Sequence, residues 1–386
     1  MDIIFTLFLI FSGAAILATL ALYARQSLIV AYIALGILFG PSGLELIHDP
    51  ELVRQISDVG IIFLLFLLGM NLAPQKLLHL VSETLLVTGV SSALFATVGY
   101  LITLFMGFTQ MDALLIGVAM MFSSTIIGLK LLPTTVLHHQ HTGEIIISVL
   151  LLQDIIAIFV LLFLKSRTGV EANGMKVVYV LLSLPALILF AYLMERFVLN
   201  KLLAQFDKIQ EYMFLLAIGW CIGMAELANY IGLTAEIGAF VAGIAMASHP
   251  ISLFITENLK PLRDFFLVIF FFSLGASFEL ATLADVFLPA LILAAVLLLF
   301  KPLVFAFLLR KSGEKAKVSS EVGVRMGQVS EFSLLIAVMA LDFGVISRQA
   351  SYLIQLTTLL TFIISTFVIV RTYPNPIALR DDLRRD

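Results

Sequence analysis

The chain has 386 residues, of which 61% are hydrophobic and only 13% charged. Soluble domains run near 45–50% apolar and about 25% charged, so a water-soluble globular domain is excluded and an integral membrane protein is indicated. A formal net charge of −3 argues against a nucleic acid or a strongly charged partner, and the single Cys221 excludes an intramolecular disulfide framework.

The N-terminus, MDIIFTLFLIF, carries an acid where a signal peptide has basic residues, and no small-residue cleavage site follows, so it reads as a first span. A helix crosses the hydrocarbon with about 20 apolar residues. Cutting the chain at charge, Pro and Gly predicts thirteen such helices, at 3–22, 28–47, 55–72, 84–106, 111–132, 145–165, 177–195, 211–230, 234–248, 264–280, 286–309, 322–342 and 350–370. The ninth is short enough to be a re-entrant segment instead. With the N-terminus outside, inward-facing connections hold sixteen Lys and Arg against five outside, with Lys130 and Lys301 inside spans, out of 23 in all. The positive-inside rule therefore places the C-terminus in the cytoplasm. Residues 1–370 read as one transmembrane domain and 371–386, RTYPNPIALRDDLRRD, as a cytoplasmic tail too short to fold alone, from which a longer natural protein could have been trimmed.

A charge at the bilayer centre costs about 2.5–3.5 kcal/mol on insertion scales, so each one is a functional hypothesis. Asp154 sits midway along SVLLLQDIIAIF, beside Gln153. Lys301 lies deep in LLLFKPLVFAF, ahead of Pro302, and Glu331 stands in RMGQVSEFSLLIA, where Gly327, Gln328 and Ser330 extend the polar patch. Asp58, Glu226 and Glu236 fall nearer span ends. A similar interruption occurs in MMFSSTIIGLKLLPTT, with Ser123, Ser124, Thr125 and Gly128 ahead of Pro133. Polar, Gly-interrupted segments in corresponding places of two halves point to a transporter site made by broken helices at an inverted-repeat interface.

AYIALGILFGPSGLELI, VGIIFLLFLLGMNL, LLLQDIIAIFVLL, AEIGAFVAGIAMA and MGQVSEFSLLIAV, taken in order, resemble the successive signatures of the monovalent cation:proton antiporter-2 family, in its Kef-type potassium-efflux branch. The resemblance runs over nearly the whole chain. It implies an all-α membrane fold of thirteen helices, with the inverted repeat of sodium/proton antiporters and two crossed discontinuous helices at Ser123–Thr125 and Gln328–Glu331. It further implies a dimerising domain and an elevator-like core interleaved along the chain, a homodimer in lipid, and a bacterial inner membrane. Asp154 becomes the residue that binds cation or proton, Lys301 matches the family's buried lysine, and Gln153-Asp154 marks the potassium-type pair in place of two acids. Asn71 stands where the third-span motif usually carries Glu. Gated Kef systems have an acidic cytoplasmic loop where LFITENLKP, Leu253 to Pro261, has Thr256, Asn258 and Lys260 at three acidic positions. With no nucleotide-binding segment in the chain, glutathione control is not expected, although a separate regulatory subunit could act.

Physical chemistry gives the same coupling independently. A carboxylate withdrawn from water binds a proton more readily than one in solution, and it can hold either that proton or a cation. Gln153 can lend a carbonyl oxygen without adding charge. One acid exchanging one H+ for one K+ (or Na+) leaves the moving charge unchanged. No resident cofactor is implied; the cations are cargo. Bland readings stand beside these: Asp154 as a helix-contact residue, Glu331 and Lys301 as a structural ion pair, hydroxyls bonding back to carbonyls, and Asn71 as a helix-contact amide. Lys301 could pair with Glu331 or rest on carbonyls. HHQHTGE, His138 to Glu144, reads as a solvated loop and lacks the HExxH spacing of a zinc site. A channel lacks its TVGYG-type filter, an intramembrane enzyme lacks its motifs, and a carrier of an organic solute keeps the same architecture.

Overall fold

The computed structural model describes residues 3–24, 26–41, 43–47, 50–71, 74–130, 141–166, 174–206, 209–247, 251–277 and 280–375. Among these every regular element is helical. In chain order they are α1 (Ile3–Tyr23), α2 (Leu28–Phe39), α3 (Pro50–Asn71), α4 (Pro74–Phe105), α5 (Gln110–Met120), α6 (Thr125–Lys130), α7 (His141–Ser166) and α8 (Gly174–Met194). A π-helical turn at Glu195–Leu199 leads into α9 (Asn200–Phe206), then α10 (Gln210–Tyr230), α11 (Ala235–Ala247), α12 (Ser252–Ala276), α13 (Leu280–Lys311), α14 (Ala316–Arg325), α15 (Glu331–Asp342) and α16 (Arg348–Thr372). Seven described helices are individually long and apolar enough to cross a membrane. Among the others α2, α5 and α11 are shorter apolar helices, α3 and α12 are long but more polar, and α5/α6 and α14/α15 are half-helix pairs.

The spans differ from the sequence reading where local chemistry outweighs hydropathy. The second is helical only to Phe39, after which Leu44 N–H bonds Leu38 O and Ile47 N–H bonds Phe39 O as the chain turns back. The tenth begins at Ser252, so LFITENLKP is part of α12 and not a loop. Its polar side chains are satisfied within the helix: Thr256 donates to Ser252 O, Asn258 to Phe254 O, and Lys260 pairs with Glu257 one turn away. His138 to Gln140 lie outside the described residues. His141 to Glu144 form the first turn of α7, with Glu144 at the end of the helix dipole that favours an acid.

The chain forms two compact units, each assembled from separate stretches. The first comprises Met1–Ala14, Tyr32–Leu78 and Lys165–Ser277; the second comprises Ala15–Ala31, His79–Leu164 and Phe278–Asp386. Inside the first unit α3 packs along both α11 and α12, and α10 along α11. The α3–α11 crossing is glycine on glycine. A Cβ added at Gly243 would stand 2.1 Å from Phe66 O and 3.0 Å from Gly69 Cα, and one at Gly69 would stand 2.4 Å from Phe240 O. Without a hydrophobic force between helices in lipid, such close backbone contact supplies the association.

Inside the second unit α13 runs beside α14 and α16. α5 starts on Thr109, whose hydroxyl accepts Asp112 N–H, and α16 on Ser347, whose hydroxyl accepts Ala350 N–H. Asp112 ties these starts together by accepting Ser347 N–H at 2.8 Å.

Gly243→Ala is expected to lower the thermal unfolding midpoint in detergent, at an overpacking cost of about 1–3 kcal/mol. Gly219→Ala, where an added Cβ meets nothing within 4 Å, is expected to leave it unchanged or raise it. A melting curve of both variants beside the wild type checks the pair.

Candidate functional site

Two helices of the second unit are interrupted in mid-span. α5 stops at Met120 and α6 resumes at Thr125; α14 stops at Arg325 and α15 resumes at Glu331. Helix ends leave backbone N–H and C=O groups without intrahelical partners. In lipid each one must be satisfied by protein.

Side chains from distant helices supply those partners. Gln153 of α7 braces the first break from both sides, its Oε1 accepting Ser123 N–H at 2.9 Å and its Nε2 donating to Met121 O at 3.1 Å. Ser124 Oγ accepts Ile127 N–H and so caps α6. At the second break Thr361 of α16 accepts Val329 N–H at 3.1 Å, and Ser330 caps α15 by accepting Phe332 N–H at 3.1 Å. The breaks also bond each other, with Ser123 Oγ donating to Met326 O at 2.9 Å and Gln328 Nε2 to Ser124 O at 3.4 Å. Ser333 donates to Ala119 O, and Ser365 to Gln328 Oε1 at 2.9 Å.

Lys301 closes the crossover. Its side chain is fully buried, and its ammonium donates to Phe122 O at 2.7 Å, to Gln328 O at 3.0 Å and more weakly to Met120 O at 3.4 Å. It therefore binds carbonyls of both breaks, at the C-terminal end of α5 where the helix dipole favours a cation. The Phe95 ring lies 5.2 Å away. Among the described residues no carboxylate lies within ion-pair distance of Lys301. Of the two arrangements left open by the sequence, the carbonyl one is observed. Gly323 of α14 packs on Pro302, where a Cβ would stand 2.5 Å from Pro302 O, which brings α13 close enough for its lysine to reach the second break.

Asp154 is 1% exposed on α7, next to Gln153. Its Oδ2 and the hydroxyl of Thr125 have no hydrogen-bond partner among the described residues. A buried carboxylate oxygen left open beside two helix breaks is an acceptor available to a proton or a dehydrated cation. Glu331, also buried at the first residue of α15, is an electrostatic neighbour of Asp154. Ser123, Ser124, Gln328, Ser330, Gln153, Asp154, Lys301 and Glu331 thus gather in one unit. The side chain of Asn71 lies outside the described side chains. Asp58, Glu226 and Glu236 belong to the first unit, where Asp58 and Glu226 are exposed and Glu236 is half-buried in the first turn of α11.

Sequence reasoning missed the contribution of α16. Ser351, Gln355, Thr358, Thr361 and Ser365 are all buried and recur at three- and four-residue spacing, which marks one helix face. That polar stripe in SYLIQLTTLLTFIIST was the available signal. Arg325 is one of the sixteen basic residues assigned to the inward side. It is fully buried, pairs with Glu321 at 2.9 Å, donates to Pro374 O at 2.8 Å and stands 5.5 Å from the Tyr373 ring. The first residues of the expected tail are therefore packed against α14, with Asn375 buried and donating to Val370 O and Tyr373 O.

The comparisons fit this geometry. Over 94% of the chain, the fold superposes on a solved structure of the sodium proton antiporter MjNhaP1 from Methanocaldococcus jannaschii with a TM-score of 0.70 at 16% identity, covering 95% of that chain. The fold is that of a sodium/proton antiporter, an inverted-repeat membrane transporter with two crossed discontinuous helices. The transmembrane sodium/hydrogen exchanger model matches residues 7–373, and the chain belongs to that family. It is 28% identical over 336 residues to the glutathione-regulated potassium-efflux system protein KefC of Salmonella arizonae, covering 85% of this chain and 54% of that protein. With the K(+) efflux antiporter 6 of Arabidopsis thaliana it shares 26% identity, covering 89% of this chain and 59% of that protein. The iron transporter MagA of Paramagnetospirillum magneticum is likewise 26% identical, over 89% of this chain and 79% of its own length. The chain thus spans little more than half of the two potassium-efflux relatives. By family it belongs with the membrane cation:proton antiporters.

Gln153→Leu leaves Met121 O and Ser123 N–H unpaired, and Thr361→Val leaves Val329 N–H unpaired, at about 1–3 kcal/mol per buried group. Both are expected to lower the thermal midpoint and slow exchange. Thr97→Val, which removes only an exposed bond back to Ala93 O, is expected to do neither, and parallel melts with flux measurements separate the three.

Proposed function

We propose that this chain exchanges a monovalent cation, K+ before Na+, for H+ by elevator-type alternating access, with Asp154 holding cation or proton in turn. The observation that carries the reading is the open Oδ2 of a fully enclosed Asp154 beside two braced helix breaks. A carboxylate there gains by taking either a proton or a cation, and occupation by one excludes the other. Thr125 and the spare lone pairs of the break carbonyls can complete a cation shell without further charge. The Gln153 amide is neutral, which favours one exchangeable charge per cycle. Glu331 is a second buried carboxylate in the same unit. Lys301, held by three carbonyls, acts as a fixed positive strut and not as a proton carrier. One K+ for one H+ is then electroneutral.

In the elevator the unit that holds the crossover is the carrier and the other unit is the scaffold, which in a homodimer forms the contact between copies. The N-terminus faces outside and the C-terminus the cytoplasm of a bacterial inner membrane, on the sixteen-to-five distribution of basic residues. Thr256, Asn258 and Lys260, at the family's acidic loop positions, favour exchange that glutathione does not control.

Asp154→Asn is expected to insert and fold yet carry no exchange, since the amide neither titrates nor balances a cation. Proton flux equal to the wild type in proteoliposomes would sink the assignment. In the same vesicles, K+, Na+, Rb+, Li+ and Fe2+ are offered in turn, and K+ is expected to drive the fastest proton movement. Competition for one carboxylate has a second consequence: each tenfold rise in proton concentration on the cation side raises the apparent KM for K+ by up to about tenfold, while the maximal rate stays level. The pH and K+ gradients that give zero flux are expected not to move when a membrane potential is imposed. A null point that shifts with voltage makes Lys301 or Glu331 a second titrating group.

A further inference from the structure

α13 presents two different faces. Lys301 points into the crossover, whereas Leu299, Leu303 and Phe307 are 70%, 68% and 60% exposed. Residues four apart stack along one line of a helix, and in a membrane protein an exposed apolar line of this kind faces acyl chains. Lys311 is the next position of that line, with its ammonium 5.8 Å from the Phe307 ring centroid. Basic side chains at such a place carry their stems along apolar surface and their charge to the headgroup layer.

The neighbouring residues concentrate positive charge at that level. Gly313, with φ +99°, turns the chain from α13 into α14. Arg310, Lys311, Lys315 and Lys317 are all exposed around it, and Glu314 is the single acid among residues 310–317. Among the described residues none of the four cations has an ion-pair partner. On α16, which packs along α13, the exposed Phe367 is likewise followed by a stacked cation, Arg371, 4.2 Å from the ring.

We infer that the α13–α14 turn binds the phosphate headgroup of an anionic phospholipid, with Arg310, Lys311, Lys315 and Lys317 around the headgroup and the acyl chain along Phe307, Leu303 and Leu299. The lipid is favoured over free phosphate because the apolar line leads directly into the cationic turn, and only an amphiphile uses both. Clusters of four or more basic residues at a membrane edge attract anionic lipid at about 1 kcal/mol per charge, which is roughly fivefold in affinity for each. The bound headgroup offsets the mutual repulsion of the four cations and orders the turn. That turn aims α14, whose far end leads into the second break, so the lipid acts on the helix that precedes Gln328 and Ser330.

The test is thermal unfolding of the full chain in detergent, titrated with phosphatidylglycerol, phosphatidylcholine or inorganic phosphate. The variants are R310Q/K311Q/K315Q/K317Q and, as a control at the exposed cations of the first unit, R196Q/K201Q. Phosphatidylglycerol is expected to raise the midpoint of the wild type and the control. The quadruple variant is expected to need at least tenfold more lipid for half the effect, while phosphatidylcholine and phosphate do little in any of them. An equal response in the quadruple variant, an equal effect of phosphate alone, or loss of the response in the control overturns the site. Should the quadruple variant not fold, Lys311→Gln read by native mass spectrometry replaces it: retention of phosphatidylglycerol must fall relative to the wild type, and unchanged retention overturns the proposal. None of these readouts uses ion flux, so the site stands or falls separately from the cation that Asp154 exchanges.

Discussion

A helix interrupted inside a bilayer leaves amide and carbonyl groups that water cannot reach, and each one left bare costs several kcal/mol. The second unit is arranged around that constraint. Its two breaks are kept open because Gln153, Thr361 and Lys301, from three other helices, stand in for the missing peptide partners, while Ser365 holds the Gln328 side chain. The breaks also bond each other through Ser123 and Met326. Neither interruption is a local property of its own segment. Taking away α7, α13 or α16 would leave polar backbone in hydrocarbon, so the crossover and its surrounding helices specify one another.

This economy of partners also says where ion chemistry is free to occur. Most polar atoms of the crossover are committed to holding it. Gln153, read from sequence as a neutral ligand for the cation, spends its carbonyl on Ser123 N–H and its amino group on Met121 O, so bracing the break is the role its geometry supports first. Lys301 is committed to carbonyls in the same way. Asp154 Oδ2 and the Thr125 hydroxyl are not. A site left with few uncommitted oxygens, with the carboxylate of Asp154 among them, suits a small cargo whose binding is easily reversed by a proton.

The names of the relatives differ in cargo: potassium for KefC and the Arabidopsis antiporter, sodium for MjNhaP1, iron for MagA. The fold supplies two braced breaks and a buried acid. With Asp154 as the exchanging acid proposed above, the ion accepted depends on the handful of atoms within its reach, so selectivity can change while the scaffold persists.

The sequence by itself determined the membrane class, the all-helical fold and the places where two helices break, because hydropathy and helix interruption are local signals carried by runs such as FSSTIIG and RMGQVSE. It also singled out Asp154, Lys301 and Glu331, because a charge in hydrocarbon is too costly to be incidental. The polar stripe of α16 was legible at helical spacing, but its meaning was not, since Val329 N–H and Gln328 Oε1 lie more than thirty positions away along the chain. Tertiary structure alone decided that Lys301 rests on carbonyls, that Arg325 is buried against the exit of α16, and that LFITENLKP is helix. In each case the deciding partner is either far away in sequence or a backbone group that every residue carries, and a pattern of side chains does not say which backbone group will be left bare.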